Sequence, residues 1–224
     1  IVISLYQMLA FPVPILLALV LHYTPILRLK KITQSITYAP HFISTVVLCG
    51  IITAFFSQSG IINQLGRILF GAQAVDYMSY PRYWRSLFVG SGIWQNTGYN
   101  AIIYIAALAG VSSELHEAAI MDGANRVQRI WHIDIPSIMP TIIILLIMQC
   151  GKVMNVGFQK AYLLQNDLNT SVSEVISTYV YKMGLNKGQY SLSTAVGLFN
   201  NVINFTLVIL VNKAANKLSG SGLW

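Results

Sequence analysis

The chain has 224 residues, of which 55% are hydrophobic and only 9% charged, and its formal net charge is +7. Soluble domains carry about 25% charged residues, so this composition excludes an ordinary soluble globular protein and points to a chain that lives in lipid. The basic residues are spread through connecting segments rather than gathered in one patch, which argues against a polynucleotide partner and for a membrane-facing basic balance.

The chain opens at Ile1 on an apolar run, with no basic region or small-residue cleavage site before it. The run therefore does not read as a signal peptide; the expectation is a chain that begins inside a longer protein, with an earlier span ahead of it. About 20 apolar residues cross a bilayer, and five stretches qualify: 3–23, 38–56, 87–111, 141–158 and 193–211. Cys49 and Cys150 both fall in apolar runs and read as small buried hydrophobes, not as a disulfide or metal site.

Between these spans the sequence predicts a short basic loop holding Arg28, Lys30 and Lys31, long loops over 57–86 and 159–192, and a mixed loop over 112–140. Arg28, Lys30, Lys31, Arg126, Arg129, Lys213 and Lys217 fall on one side. That bias places the segment 112–136 and the C-terminus in the cytoplasm and the two long loops outside it. In the first long loop Ile61, Ile62, Leu65, Ile68 and Leu69 recur at helical spacing, which predicts an amphipathic helix over Ile61–Phe70 lying at the interface. Tyr77, Tyr80, Tyr83 and Trp84 follow it as an aromatic belt would.

The segment after the third span reads Ser112-Ser113-Glu114-Leu115-His116-Glu117-Ala118-Ala119-Ile120-Met121-Asp122-Gly123-Ala124. Ser113 is a candidate N-cap, with Glu114 and Glu117 near the positive end of the helix dipole. Leu115, Ala118, Ala119 and Met121 give it a small or apolar surface, and Gly123 can take the left-handed conformation that ends a helix. A second short helix fits 126–132, with Pro136 and Pro140 marking the return to the membrane. A helix, a glycine corner and another helix make a compact body able to transmit a rigid push. An ordinary capped connector has the same chemistry.

Polar residues inside the apolar runs form the second group of candidates. A lysine at the bilayer centre costs at least ~2.5–3.5 kcal/mol on insertion scales, so Lys152 must face protein or water. Lys152, Asn155 and Gln159, spaced three and four apart, would share one face of a helix. The third span offers Trp94, Gln95, Asn96, Tyr99 and Asn100, and the last offers Asn200, Asn201 and Asn204. Amides and aromatic rings bind sugars, and amides also bridge helices. The bridging role is preferred for Asn200, Asn201 and Asn204; a substrate path is preferred for Lys152, Asn155 and Gln159, with Trp94, Asn96 and Tyr99. Lys152 hints at an acidic substrate, although a lysine paired within the protein would give the same sequence. His22, His41, His116 and His132 are scattered, so neither a metal centre nor a catalytic set is expected. That disfavours an intramembrane enzyme, and the lack of acidic residues in the spans disfavours a proton- or sodium-coupled secondary transporter. A channel is a further alternative.

Glu117-Ala118-Ala119, Asp122-Gly123 and Ile133-Asp134-Ile135-Pro136 resemble the EAA motif of permeases in bacterial binding-protein-dependent ABC importers, with Ile135 where that family usually has leucine. Tyr38-Ala39-Pro40-His41-Phe42-Ile43-Ser44, Ser91-Gly92-Ile93-Trp94, Asn155-Val156-Gly157-Phe158, Ser177-Thr178-Tyr179-Val180-Tyr181 and Ser221-Gly222-Leu223-Trp224 are similar to the LplB-type permeases associated with complex oligosaccharide import. The resemblance implies an all-α integral membrane fold of the type I ABC importer, a single permease domain with five spans visible here and six in the intact protein. It implies a multi-pass subunit of the bacterial plasma membrane that moves substrate by alternating access. Glu114, Glu117, Ala118, Ala119, Asp122, Gly123 and Pro136 would couple it to an ATPase. Its implied partners are a second permease subunit in a heterodimer, two ABC ATPase subunits that bind ATP and Mg, and an extracytoplasmic substrate-binding protein. The subunit itself would bind no cofactor. Leu218-Ser219-Gly220-Ser221-Gly222 looks like an ABC signature loop, but the chain has no Gly-x-x-x-x-Gly-Lys-Ser/Thr phosphate loop, so no ATPase site of its own is expected.

Overall fold

The computed structural model describes residues 2–220 and 222 and, for Leu218 and Ser219, the backbone alone. Ile1, Ser221, Leu223 and Trp224, and with them much of the C-terminal resemblance, lie outside the described residues. Among the described residues there is no strand. The helices are α1 (Val2–Leu9), α2 (Pro12–His22), α3 (Leu27–Tyr38), α4 (Thr45–Phe56), α5 (Ile61–Phe70), α6 (Pro81–Ala109), α7 (Ser113–Met121), α8 (Arg126–Arg129), α9 (Ile135–Cys150), α10 (Phe158–Leu164), α11 (Thr170–Ser173), α12 (Ile176–Tyr181) and α13 (Tyr190–Ser219). A 3₁₀ turn covers Ala39–Phe42, and π turns cover Ile130–Asp134 and Lys182–Asn186.

Among the described residues, four stretches are long and apolar enough to cross a membrane: Val2–His22, Thr45–Phe70, Arg126–Cys150 and Tyr190–Lys217. The first is interrupted between α1 and α2, where Pro12 brings no N–H and takes the first helical position instead. The second starts at Thr45 rather than near Tyr38, because Pro40 sits in the 3₁₀ turn and Ser44 caps α4 by accepting from the Val47 N–H at 3.3 Å. Arg28, Lys30 and Lys31 belong to α3, not to a loop. The expected span 87–111 lies in α6, whose 29 residues reach about 43 Å at 1.5 Å each. Its length suffices, but Gln95, Asn96 and Asn100 dilute its apolar character.

The expected span 141–158 is the largest departure. The helix runs instead from Arg126 to Cys150, and Pro136 and Pro140, read as a boundary, both sit inside it. The π turn Ile130–Asp134 makes this possible. It shifts the hydrogen-bond register by one residue just before Pro136, so that the Ile135 N–H reaches the Ile130 carbonyl.

The chain divides into two compact units. The first comprises the described residues up to Gln7 together with Phe42–Gln95 and Lys152–Asn204. Its core joins Leu48, Cys49 and Ile52 of α4, Trp84 and Phe88 of α6, and Ala161 and Leu164 of α10. Trp84 stacks on Phe88 with centroids 5.0 Å apart and donates its indole N–H to the Leu164 carbonyl at 3.0 Å. It is therefore a core residue and not part of an interfacial belt; truncating so large a ring typically costs ~3–5 kcal/mol. The amphipathic α5 has its predicted bounds and ends at Gly71 with φ +63°. Its buried Asn63 donates to the Ser57 and Val75 carbonyls and accepts from the Val75 N–H, which ties the segment 57–75 into one piece. Fully buried Asn169 does the same for the second long connection, donating to the Met78 and Leu164 carbonyls.

The second unit comprises Met8–His41, Asn96–Gly151 and the described residues from Phe205 onward. Its core is built from Ala18 and Leu19 of α2, Ala101, Tyr104 and Leu108 of α6, and Ile138 of α9. Gly98 lets α6 press against the backbone of α3: a Cβ placed there would lie 2.1 Å from the Thr37 carbonyl oxygen.

Candidate functional site

The segment 112–134, the candidate coupling body, is built from local signals. Ser112, not Ser113, caps α7, its hydroxyl accepting from the Glu114 N–H at 3.2 Å. The helix ends in a Schellman pair, with Gly123 N–H donating to Ile120 at 3.0 Å and Ala124 N–H to Ala119 at 2.8 Å. Gly123 has φ +80°, the left-handed region that the sequence assigned to it. Asn125 and Gln128 then form a reciprocal capping box at the start of α8. The body therefore has a rigid corner with both ends satisfied. Behind it the second helix does not stop at His132 but continues through the π turn into α9.

Glu114, Glu117, Ala118, Asp122, Gly123 and Pro136 are all exposed, and Ala119 is half-buried. Met121 at the tip of α7 is 86% exposed, and Leu115, Ile120, Val127 and Trp131 are exposed as well. A hollow of about 300 Å³ lined by Ala119, Gly123, Gln128, Arg129 and His132 opens beside the corner. Acidic side chains, alanines and exposed large apolar residues on one capped body make a surface suited to a protein partner.

The substrate-path candidates separate into the two units. In the second, the Asn96 amide oxygen lies 3.2 Å from His41 Nδ1, and Tyr99 stacks on His41 with centroids 3.8 Å apart. His41, on the 3₁₀ turn, organises both residues; the sequence placed it in a family-like stretch without giving it this role. In the first unit, Trp94 is 52% exposed. Lys152, Asn155 and Gln159 do not share a helical face. Helix α9 stops at Cys150, residues 151–154 are a turn closed by Asn155 N–H on the Lys152 carbonyl at 2.8 Å, and Gly157, with φ +86°, precedes α10. The segment is held by side chains: Ser4 donates to the Val153 carbonyl, Asn204 accepts from the Met154 N–H at 3.2 Å, and Asn200 donates to Asn155 at 2.9 Å. Asn200 and Asn204 thus act as the bridges expected of them. Lys152 is exposed and makes no ion pair among the described residues. A half-buried cation of this unit is Lys160, which sequence spacing did not single out. Its Nζ donates to the Phe88 carbonyl at 2.9 Å, and burial pulls its pKa down to about 8.

Two of the four scattered histidines come together in space. His22 at the end of α2, His116 on α7 and Asp134 in the π turn bring one ligand-type atom each within 4.8 Å of one another. Asp134 is completely buried and accepts from the Tyr23 hydroxyl at 2.6 Å. Burial and that bond push the Tyr23 phenol up to about 12, so it stays a donor. Asp134 also overturns the expectation that the apolar helices hold no acidic residue, because it lies within Arg126–Cys150.

Among the described residues, strand-free architecture, four apolar helices of spanning length and a polar capped body between helices define a multi-pass membrane protein. Residues 10–219 match the family described as binding-protein-dependent transport system inner membrane component, and the chain belongs to that family. It is 43% identical to Protein LplB of Bacillus subtilis (strain 168) over 99% of this chain and 70% of that protein. It is 40% identical to the polygalacturonan/rhamnogalacturonan transport system permease protein YteP of the same organism, over 96% of this chain and 67% of that one. A chain of the crystal structure of a bacterial alginate ABC transporter, in complex with alginate pentasaccharide-bound periplasmic protein, superposes with a TM-score of 0.95. It is 36% identical and covers 99% of this chain and 77% of its own length. The fold is that of an ABC importer permease, a subunit type without an ATPase site of its own.

Proposed function

We propose that this chain is the membrane permease half of an ATP-driven importer of acidic oligosaccharides, coupled to its ATPase through α7 and the Gly123 corner. The exposed, capped body at 112–134 carries the reading: it offers a rigid partner surface in which Glu114, Glu117, Ala118, Ala119, Asp122 and Gly123 meet solvent. Pro136, just beyond the π turn, keys that body into α9. A second permease, two ABC ATPases binding ATP and Mg, and an extracytoplasmic binding protein complete the machine, and substrate moves by alternating access. The acidic substrate is supported by the names of the relatives, which handle alginate and polygalacturonan or rhamnogalacturonan, and by the free, exposed charge of Lys152. Lys152, Asn155, Gln159 and Trp94 of the first unit and, taken separately, Asn96 and Tyr99 of the second are the substrate-path candidates in this reading.

Cross-linking tests the coupling assignment. Met121→Cys, with Cys49 and Cys150 replaced by serine, is paired with single cysteines in the ATPase of the purified, transport-competent complex. A disulfide to the ATPase, with a yield that changes on ATP binding, is the expected result. A complex that imports substrate yet never cross-links from position 121 or its neighbour Ile120 would remove α7 from the coupling path.

A further inference from the structure

Asp134 poses an electrostatic problem. Its side chain is wholly buried, and a buried carboxylate needs a compensating cation or a full set of donors. Tyr23 supplies one donor, to Oδ2. Arg129 does not supply the charge; its guanidinium lies over the Tyr23 ring, 5.6 Å from the centroid. What faces Oδ1 is His116 Nε2 at 3.3 Å. Although that distance allows an ion pair, neither atom makes a hydrogen bond of acceptable geometry. The third group is His22, whose ring centroid lies 6.4 Å from that of His116 at an interplanar angle of 36°.

We propose that His22, His116 and Asp134 form a binding site for a divalent transition-metal ion of the zinc class, which ties the coupling helix α7 to the end of α2 and to the π turn. Two imidazoles and one carboxylate are a donor set that such ions take with a fourth position left to solvent. Metal–ligand bonds of 2.0–2.2 Å in a tetrahedron put neighbouring donor atoms about 3.4 Å apart. The His116–Asp134 separation of 3.3 Å already matches this. The full set lies within 4.8 Å, so a small rotation of His22, the last residue of α2, closes it. Oδ1, the buried atom without a hydrogen bond, is the one aimed into the site. Tyr23 holds the other carboxylate oxygen, the outer-sphere bond that orients a ligating carboxylate. Both histidines are only partly buried, which leaves an ion a way in. The three ligands come from three separate elements, so an ion bound here would stiffen the seat of α7 without touching its partner face.

The test uses the intact protein, purified without a histidine tag, reconstituted in nanodiscs and stripped with chelator. Titration with cobalt(II) should develop the ligand-field bands of a tetrahedral site at one ion per chain, and zinc should displace them. His22→Gln and His116→Gln should each abolish the bands, while Tyr23→Phe should weaken binding ~10–100-fold. His132→Gln, an exposed neighbour whose Nδ1 faces the Gln128 carbonyl, should bind as the parent does. X-ray absorption on the zinc-loaded parent should show two imidazoles and oxygen ligands, and this reading does not depend on any variant folding. No saturable cobalt binding, bands that survive in the His22→Gln/His116→Gln double variant, or a metal shell without two imidazoles would overturn the proposal. Because binding is read directly, its failure leaves the importer assignment untouched.

Discussion

Replacing Gly123 isolates the backbone contribution to coupling. An added Cβ would meet nothing within 4 Å, so packing does not oppose a side chain there. What opposes it is φ +80°, which costs a non-glycine L-residue ~1–2 kcal/mol. That is a factor of roughly 5–30 in the ratio of the formed corner to its alternatives. The two Schellman bonds, at 3.0 and 2.8 Å, depend on that corner. Asparagine tolerates the left-handed region better than alanine, and β-branched valine tolerates it least. ATP-driven uptake in proteoliposomes, normalised to assembled complex, should therefore fall in the order Gly > Asn > Ala > Val. Gly123→Ala should lose about 5–30-fold of uptake while assembly and membrane insertion are retained, and Gly123→Asp should lose more because it adds charge beside Asp122. Equal uptake by the glycine, alanine and valine proteins would refute the reasoning, since α7 would then couple without a defined corner.

Two further predictions follow from the units taken separately. Lys152→Met removes an exposed charge that no partner among the described residues compensates; a charged hydrogen bond of ~1.5–3 kcal/mol lost from substrate should cut uptake of an oligouronide about tenfold or more and spare a neutral sugar. Normal uptake per assembled complex by both Lys152→Met and Asn155→Ala would end the substrate-path reading. Gly98→Ala forces a Cβ to within 2.1 Å of the Thr37 carbonyl oxygen and 2.4 Å of its carbon. Overpacking of this kind costs ~1–3 kcal/mol, so the thermal midpoint of the purified protein should drop; an unchanged midpoint would show that α3 and α6 separate freely.

Features written in a few adjacent residues were legible in the sequence. Helix α5 follows from apolar spacing, and it spans Ile61–Phe70 as predicted. The Gly123 corner is equally local, and its φ came out in the predicted region. Misreadings arose where a local signal was overridden by context. Proline reads as a helix boundary, but the π turn absorbs the missing donor before Pro136, so α8 and α9 run on as one stretch. Lys152 sits in an apolar run that looks helical, yet Gly151 and Gly157 release the backbone and four residues of turn replace the expected face. Trp84 follows three tyrosines and looks like one more interfacial ring; only the long-range bond to Leu164 reveals it as core. The His22, His116 and Asp134 cluster has no sequence signature, because its members lie on three elements far apart along the chain.

The π turn has a consequence for insertions and deletions. A residue added to an α-helix advances the azimuth of everything beyond it by about 100°. The five residues Ile130–Asp134 therefore act as a phase setting between Arg126–Arg129, which belongs to the capped body at 112–134, and Ile135–Cys150, which packs in the core through Ile138. Substitutions within the turn change side chains and leave that angle alone. Losing one residue would remove the wide turn and its Ile135–Ile130 bond, and with them the backbone setting that presents Asp134 to Tyr23. In this stretch the number of residues is a more stringent requirement than their identity.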